Sequence, residues 1–444
     1  MKFRILSLFL LISFTIQAQQ TAADYFESGV AKSQAGDFTG ALGDFSRSIA
    51  MNPENAQSYF NRGLTKQALE DHRGAIIDFT KSIDLNPRES LSYLYRGISQ
   101  KEQGDSRNAI QDFNRTIELN SDDDYAYLQR GITLAKLEEF RKAISDFNRV
   151  VELASNPSSK YQAFYSRGYC KTKLGDYKGS ISDFSKSIDI NPKRAQTFAE
   201  RGYSRLQIEE YPEAIDDFGK ALELNPRDQT SFYNRGFAKA KTADYSGALK
   251  DFAAALNIDP TDIRALYGRG FCYSKLNNQR SAIQDLTKAI EYGNQNLDSK
   301  VNYSPRMSES QLAVLRNSVT EEIGIPSFSE NRSKAYYVRG VASYKTGKSK
   351  DALADLTKSI ELDPIFAPSH FLRGLVRSSE GLQKEALVDM TNAITLDQFY
   401  KEAYYVRGLI NQALGYTDQG CLDLSRAGEL GYVQAYEVIK NNCN

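Results

Sequence analysis

One pattern of residues recurs with a period of 34 through most of this chain of 444 residues. In this register the dipeptide Arg-Gly stands ten times, and an aspartate stands at the fifteenth position after each of these ten glycines. Ser28-Gly29, followed by Asp44, adds an eleventh member at the start of the series. The spacing between successive glycines is 34, except for 37 after Gly131 and 70 after Gly270. A fixed period of this length is typical of arrays in which one small structural unit is stacked many times.

The repeat boundaries follow when this glycine is taken as position 8 of each unit. Eleven units result, and they are residues 22–55, 56–89, 90–123, 124–157, 161–194, 195–228, 229–262, 263–296, 333–366, 367–400 and 401–434. The sequence therefore predicts eight repeats over 22–296, an insert over 297–332, three further repeats over 333–434 and a terminal segment over 435–444.

Each repeat is predicted to form two amphipathic helices, here called its first and second helix. Apolar or small residues fall at positions 4 and 8 and again at 20, 21, 24, 27 and 28, which is the spacing of helices with one buried face. Glycine at 8 and the small residue at 20 let two antiparallel helices approach closely, while an aromatic residue at 4 and phenylalanine at 24 fill the adjacent space. Proline at 32, as in Pro53 and Pro87, ends the second helix.

With these residues in this order, all eleven units resemble the tetratricopeptide repeat family. The resemblance implies an all-α fold, a right-handed α-solenoid of eleven helix-turn-helix repeats with this period, whose first helices line a concave groove. Position 11 departs from the family, which prefers tyrosine there, because this chain has residues such as Lys66, Lys171 and Arg205.

The resemblance also implies a binding surface on the first helices. In the family, positions 2, 5, 9, 12 and 13 line the groove, and here positions 5 and 9 are almost wholly apolar or aromatic. Aromatic side chains bury a large area at low entropic cost. The residues predicted to line a peptide-binding groove are Tyr165, Tyr169, Tyr203, Tyr233, Phe237, Tyr267, Phe271, Tyr337, Phe371 and Tyr405. The alternative is that these side chains pack between neighbouring first helices.

Arginine at position 7 and aspartate at position 23 form a second recurrent pattern. Ten arginines and eleven aspartates predict a ladder of ion pairs between adjacent helices. Pairing within a repeat and pairing with a neighbouring repeat both fit the sequence, since Ser28 breaks one series and Asp423 would end the other. A basic stripe for phosphate is the less favoured interpretation, because an acidic residue accompanies each arginine.

The insert is predicted to contain one extra helix over 308–324. Ser308 and Gln311 form a capping-box pattern, an apolar stripe follows, and Gly324 ends it. This helix would either cover a seam in the stack or lie in the groove and gate it.

Residues 1–18 are predicted to be a signal peptide. Lys2 and Arg4 precede an uncharged, mainly apolar stretch over 5–16, and cleavage is expected after Ala18. We therefore expect an exported protein, either periplasmic or secreted.

The four cysteines form two pairs with different surroundings. Cys170 and Cys272 occupy position 10, which is filled by small residues elsewhere, so they are expected to be buried thiols. Cys421 lies in the last second helix, and Cys443 ends a segment predicted to be a capping helix. A disulfide between Cys421 and Cys443 is expected in an exported protein, the alternative being two reduced buried thiols.

Composition narrows the functional classes. Lys+Arg and Asp+Glu both number 56, so the basic excess typical of nucleic-acid binding is lacking, and no apolar run after Gln20 could span a membrane. His72 and His370 occupy structural positions of the repeat, and the sequence has no metal-ligand spacing or catalytic motif. We expect no enzyme activity, no metal and no cofactor.

The sequence thus predicts an exported scaffold that binds a partner protein or an extended peptide through the groove of the repeats. A glycan or cell-wall binding module is the alternative, since a tyrosine-lined groove can also stack sugar rings.

Overall fold

The structure, a computed structural model, describes residues 20–295 and 328–443, without the side chains of 294, 295 and 328–331. The described residues form 23 α-helices and no β-strand. The predicted all-α repeat fold is therefore confirmed. The predicted signal peptide over 1–18 and the predicted helix over 308–324 lie outside the described residues.

The helices belong to two compact units, one ending at Lys193 and the other beginning at Arg194. The helices of the first unit are α1 Ala22–Gln34, α2 Phe38–Met51, α3 Ala56–Ala68, α4 His72–Leu85, α5 Ser90–Glu102, α6 Ser106–Leu119, α7 Asp124–Lys136, α8 Phe140–Leu153, α9 Pro157–Lys173 and α10 Tyr177–Ile190. Those of the second unit are α11 Ala195–Gln207, α12 Tyr211–Leu224, α13 Gln229–Lys241, α14 Tyr245–Ile258, α15 Ile263–Lys275, α16 Gln279–Gln295, α17 Phe328–Lys345, α18 Ser349–Leu362, α19 Ala367–Ser379, α20 Gln383–Leu396, α21 Lys401–Ala413, α22 Thr417–Glu429 and α23 Gln434–Asn442.

The turn between the two helices of a repeat has the same backbone in all eleven repeats. Its position 15 is left-handed, with φ between 75° and 85° at the six glycines and near 60° at five other residues, of which Glu70 and Ala243 are two. Only glycine adopts this conformation without a steric cost. The second helix then starts at a cap, for example Asp37, whose carboxylate accepts a hydrogen bond from the Gly40 amide at 2.9 Å.

The core of each repeat is the contact predicted between positions 8, 20 and 24. The phenylalanines at 24 in repeats one to seven, such as Phe79, are completely buried, as is Ala75 at position 20. A Cβ atom on Gly63 would lie 2.7 Å from the Phe79 ring, so only glycine fits there without rearrangement. In the last four repeats Leu286, Leu356, Met390 and Leu424 replace phenylalanine and are equally buried.

Repeats eight and nine pack directly on each other although the insert separates them in sequence. Tyr267, Leu286 and Ile290 of repeat eight share one buried cluster with Ala335 and Val338 of repeat nine. The two repeats therefore share one apolar core across the interruption.

A short helix covers the end of the last repeat, as the sequence predicted. Ala435 of α23 is completely buried against Leu424 and Ala427 of α22. Cys421 and Cys443 are joined by a disulfide with their Cα atoms 5.7 Å apart. The disulfide fixes the end of α23 to α22.

The glycine at position 8 offers a test of the close helix contact. We expect Gly63→Ala to destabilise the protein by about 1–3 kcal/mol, because the added methyl group would overpack against Phe79. Gly43→Ala is the matched control, since that glycine is exposed in α2 with no atom near its missing Cβ, and we expect a gain of about 0.5–1 kcal/mol. Urea unfolding of both variants measures the difference, and equal midpoints would contradict the packing argument.

Candidate functional site

The arginine at position 7 binds the aspartate at position 23 of its own repeat. In all ten repeats with this arginine, Nε and Nη2 donate to the two carboxylate oxygens, at 2.6–3.0 Å. The eleven aspartates are all at most 6% exposed. In repeat one, the Ser28 hydroxyl donates to Asp44 at 2.7 Å instead. Of the two pairings that the sequence left open, the structure therefore has the one within each repeat.

The unusual residues at position 11 bind the same aspartates. Lys66 Nζ lies 2.8 Å from Asp78, and Arg377 Nη1 lies 2.7 Å from Asp389. Lysine or arginine at this position makes the equivalent contact in repeats one, five, six and seven. The departure from the family's tyrosine thus adds a second cation to a buried carboxylate, which compensates for its loss of solvation.

The same arginines also join neighbouring repeats. Within each unit, Nη1 donates to a serine, threonine or asparagine at position 25 of the preceding repeat, as from Arg96 to Thr80 at 3.1 Å. The equivalent bonds elsewhere are 2.7–3.4 Å long. Arg339 reaches Thr287 across the insert in this way. Gly219 and Ala253 supply no side-chain acceptor at position 25 for Arg235 and Arg269.

The guanidinium groups also stack on the aromatic ring at position 4 in eight repeats, with distances of 5.3–5.8 Å to the ring centroid. Each of these arginines therefore has a carboxylate and a ring as partners. This arrangement favours the structural interpretation of the arginines over a phosphate-binding stripe.

The predicted groove residues differ in how far they are accessible. Tyr233 and Tyr267, both at position 5, are buried, with 7% and 2% of their surface exposed. Tyr203, at position 9, is 40% exposed. The others are half-buried, and they are Tyr165, Tyr169, Phe237, Phe271, Tyr337, Phe371 and Tyr405.

Side chains from the connection to the next repeat cover position 5. Phe366 and Tyr400, both at position 34, pack on Tyr337 and Phe371 with ring centroids 5.3 and 4.9 Å apart. Arg264, at position 2 of the next repeat, places its guanidinium group 4.8 Å from the centroid of the Tyr233 ring. Burial raises the pKa of Tyr233, Tyr267 and Tyr337. At position 5, packing between repeats therefore describes most of these side chains better than a binding surface does.

Position 9 is more accessible and has lysines beside it. Lys173, Lys241 and Lys275, at position 13 one helical turn later, place their ammonium groups 5.1–5.8 Å from the rings of Tyr169, Phe237 and Phe271. Neither these lysines nor the covering residues at position 34 were among the residues predicted from the sequence. Spacing of four positions between an aromatic residue and a lysine is the signal that would have found the lysines.

The chemistry available elsewhere is limited. The described part of the chain has no group of three or more histidine, cysteine or acidic side chains placed to hold a metal ion. None of its helices is both long enough and apolar enough to cross a bilayer. Cys170 and Cys272 are completely buried, and burial raises the pKa of each thiol to about 12, so neither is a thiolate at neutral pH.

Comparison with known proteins identifies the repeat. Two tetratricopeptide repeat models match the chain, one at residues 94–155 and 200–263 and the other at 56–89, 161–194, 263–295 and 333–366. No functionally curated protein matches the sequence.

Solved structures with the same repeat are similar to parts of the chain. YrrB, described as a TPR protein with an unusual peptide-binding site, is 27% identical over 40% of this chain and 91% of its own, with a TM-score of 0.38. A tetratricopeptide repeat protein from Parabacteroides merdae is 18% identical over 57% of this chain and 99% of its own, with a TM-score of 0.42. MamA from Desulfovibrio magneticus is 20% identical over 39% of this chain and 96% of its own, with a TM-score of 0.37.

Removing one buried aspartate tests the arginine ladder. We expect Asp112→Ala to cost about 3–5 kcal/mol, because it leaves the Arg96 guanidinium without its buried counter-charge. Glu118→Ala is the control in the same repeat, since it removes an exposed ion pair with Arg115 and should cost about 0–1 kcal/mol. Chemical denaturation gives both values, and similar costs would show that burial does not strengthen the ladder.

Proposed function

Because the chain belongs to the tetratricopeptide repeat family, we propose that it is an exported scaffold that binds a partner protein or an extended peptide on its first helices. Tetratricopeptide repeats indicate a protein–protein interaction scaffold, and the fold is generally non-catalytic. The surface proposed for binding comprises positions 2, 9, 12 and 13 of the first helices, and we call it the first-helix face.

The accessible apolar side chains at position 9 are the observation that carries this proposal. In the second unit, Tyr203, Phe237 and Phe271 occupy this position in three successive repeats, and each is exposed or half-buried. Aromatic side chains are enriched at protein interfaces because one rigid ring buries a large area. A row of them on consecutive stacked helices suits an extended peptide or the apolar face of a helix.

Two observations support export. The sequence begins with Lys2 and Arg4 before an uncharged, mainly apolar stretch. The disulfide between Cys421 and Cys443 suits an oxidising compartment, because cytosolic thiols are kept reduced.

Export predicts a processed protein. In the native host, we expect the protein in a periplasmic or secreted fraction, with its chain starting at Gln19 after cleavage at Ala18. N-terminal sequencing of the protein from separated cell fractions would identify both its compartment and its first residue. An unprocessed chain that remains in the cytoplasm would contradict export and leave the binding proposal unaffected.

Binding through the first-helix face predicts a specific loss of partner. We expect the double variant Tyr203→Ala, Phe237→Ala to capture about tenfold less of a partner protein, because two apolar contact residues are lost. The immobilised mature chain would be cross-linked in an extract of the native envelope, and captured proteins would be quantified by mass spectrometry.

Val388→Ala with Leu422→Ala is the control variant, since it removes two apolar side chains of second helices that are 59% and 64% exposed. Circular dichroism melting establishes that both variants are folded. Equal capture by both variants would place the binding surface elsewhere. Capture of glycan in place of protein would favour the glycan-binding alternative.

A further inference from the structure

One seam of the first unit carries a small cleft on the first-helix face. It lies between repeats four and five and has a volume of about 480 Å³. The residues that line it are Ala135, Lys136, Glu138, Phe140, Tyr169 and Lys173. Lys136 and Lys173 are both exposed, so two ammonium groups border an apolar floor.

The second unit repeats this set of residues at one of its own seams. Between repeats seven and eight, the same repeat positions hold Ala240, Lys241, Tyr245, Phe271 and Lys275. The rings of Tyr245 and Phe271 are 6.2 Å apart in an edge contact, and both pack with Ala240 at the margin of one core cluster. Each unit therefore has one seam with the same set of residues. The repeat before the seam has a small residue at position 12, a lysine at 13 and an aromatic residue at 17. The repeat after the seam has an aromatic residue at 9 and a lysine at 13. We call these two sites the lysine–aromatic seams.

The combination is specific to these two seams among those within the units. The seam between repeats six and seven has Leu206 and Gln207 in place of alanine and lysine. The seam between repeats eight and nine keeps Lys275 and Lys345 but has Gln279 and Val341 in place of the two aromatic residues. Repeat packing alone does not require the full set, because repeats without it stack in the same way.

We propose that the two lysine–aromatic seams are the specificity sites of the scaffold and bind acidic peptide segments that carry an apolar anchor side chain. The inference rests on the proposed binding function and adds the chemistry of the partner to it. The apolar anchor would insert against the aromatic floor, and carboxylates beside it would pair with the two flanking lysines.

Charge complementarity favours an acidic partner. The arginines of the first helices are bound to buried aspartates, whereas Lys136, Lys173 and Lys275 form no ion pair with a carboxylate of the described residues. At the first seam, an acidic segment between Lys136 and Lys173 gains attraction at both sides, and a basic segment would be repelled at both. Contact with the aromatic rings adds a favourable contribution to the binding free energy that does not depend on charge.

Among the repeat positions that line the first cleft, one differs in charge between the two seams. Position 15 is Glu138 beside the first seam and Ala243 in the corresponding repeat of the second, and both residues have the same left-handed backbone, with φ of 61°. Glu138 offsets part of the positive charge of its cleft, and the second seam has no such acid at this position.

Selection from a random peptide display library tests the proposal with the mature chain as bait. We expect selected peptides to combine aspartate or glutamate with a nearby aromatic or aliphatic residue. A synthetic peptide from the selection is then measured by fluorescence anisotropy. Replacing Lys136, Lys173, Lys241 and Lys275 with glutamine should weaken its binding by about tenfold or more, and added salt should weaken binding to the original chain.

The matched control replaces Lys81, Lys178, Lys250 and Lys350, four exposed lysines of second helices, with glutamine. It makes the same change in net charge and should leave the affinity within about twofold, as should arginine at the four seam positions. Neutral or basic selected peptides, or equal losses in the seam and control variants, would overturn the charge assignment while leaving the scaffold function intact. Failure to select any peptide would count against both proposals.

Discussion

The structure depends on a carboxylate that is buried in every repeat. An aspartate at position 23 is costly to bury unless its charge is compensated. The arginine at position 7 of the facing helix compensates it with a bidentate pair of hydrogen bonds to the carboxylate. That arginine fixes the two helices of a repeat relative to each other. Its remaining nitrogen extends to the preceding repeat, as from Arg96 to Thr80, so one side chain also sets the stacking. The close contact of glycine 8 with the residue at position 24 then fills the core beside this pair.

The pairing of the arginines limits which groups of the first helices are available to bind a partner. Their guanidinium groups are bound to aspartates and stacked on rings, so they add little free positive charge to the surface. Position 5 is mostly occupied with packing, because it is covered by residues at position 34 of the same repeat, or by Arg264 of the next repeat in the case of Tyr233. Position 9 and the lysines at position 13 remain accessible. The surface proposed for binding is consequently narrower than the full row of aromatic side chains in the sequence.

The stacking also continues where the sequence is interrupted. Arg339 makes the same contact with Thr287 that other arginines make with the preceding repeat, although the insert lies between the two residues. Described residues of repeats eight and nine thus pack on each other across the interruption. At the end of the array, α23 and its disulfide cover apolar surface that a further repeat would otherwise bury.

The sequence by itself determined the number of repeats, the two helices in each, the glycine contact and the capping helix, because each is encoded by local periodicity or by one small residue at a fixed position. It did not determine which aspartate each arginine binds, since in a periodic sequence the partner within a repeat and the partner in the next repeat recur equally regularly. It also did not separate buried Tyr233 from exposed Tyr203, because both are aromatic residues of a first helix. Only the tertiary structure decided these points. Accessibility depends on which side chains a neighbouring repeat places over each position, and that contact joins residues distant in sequence.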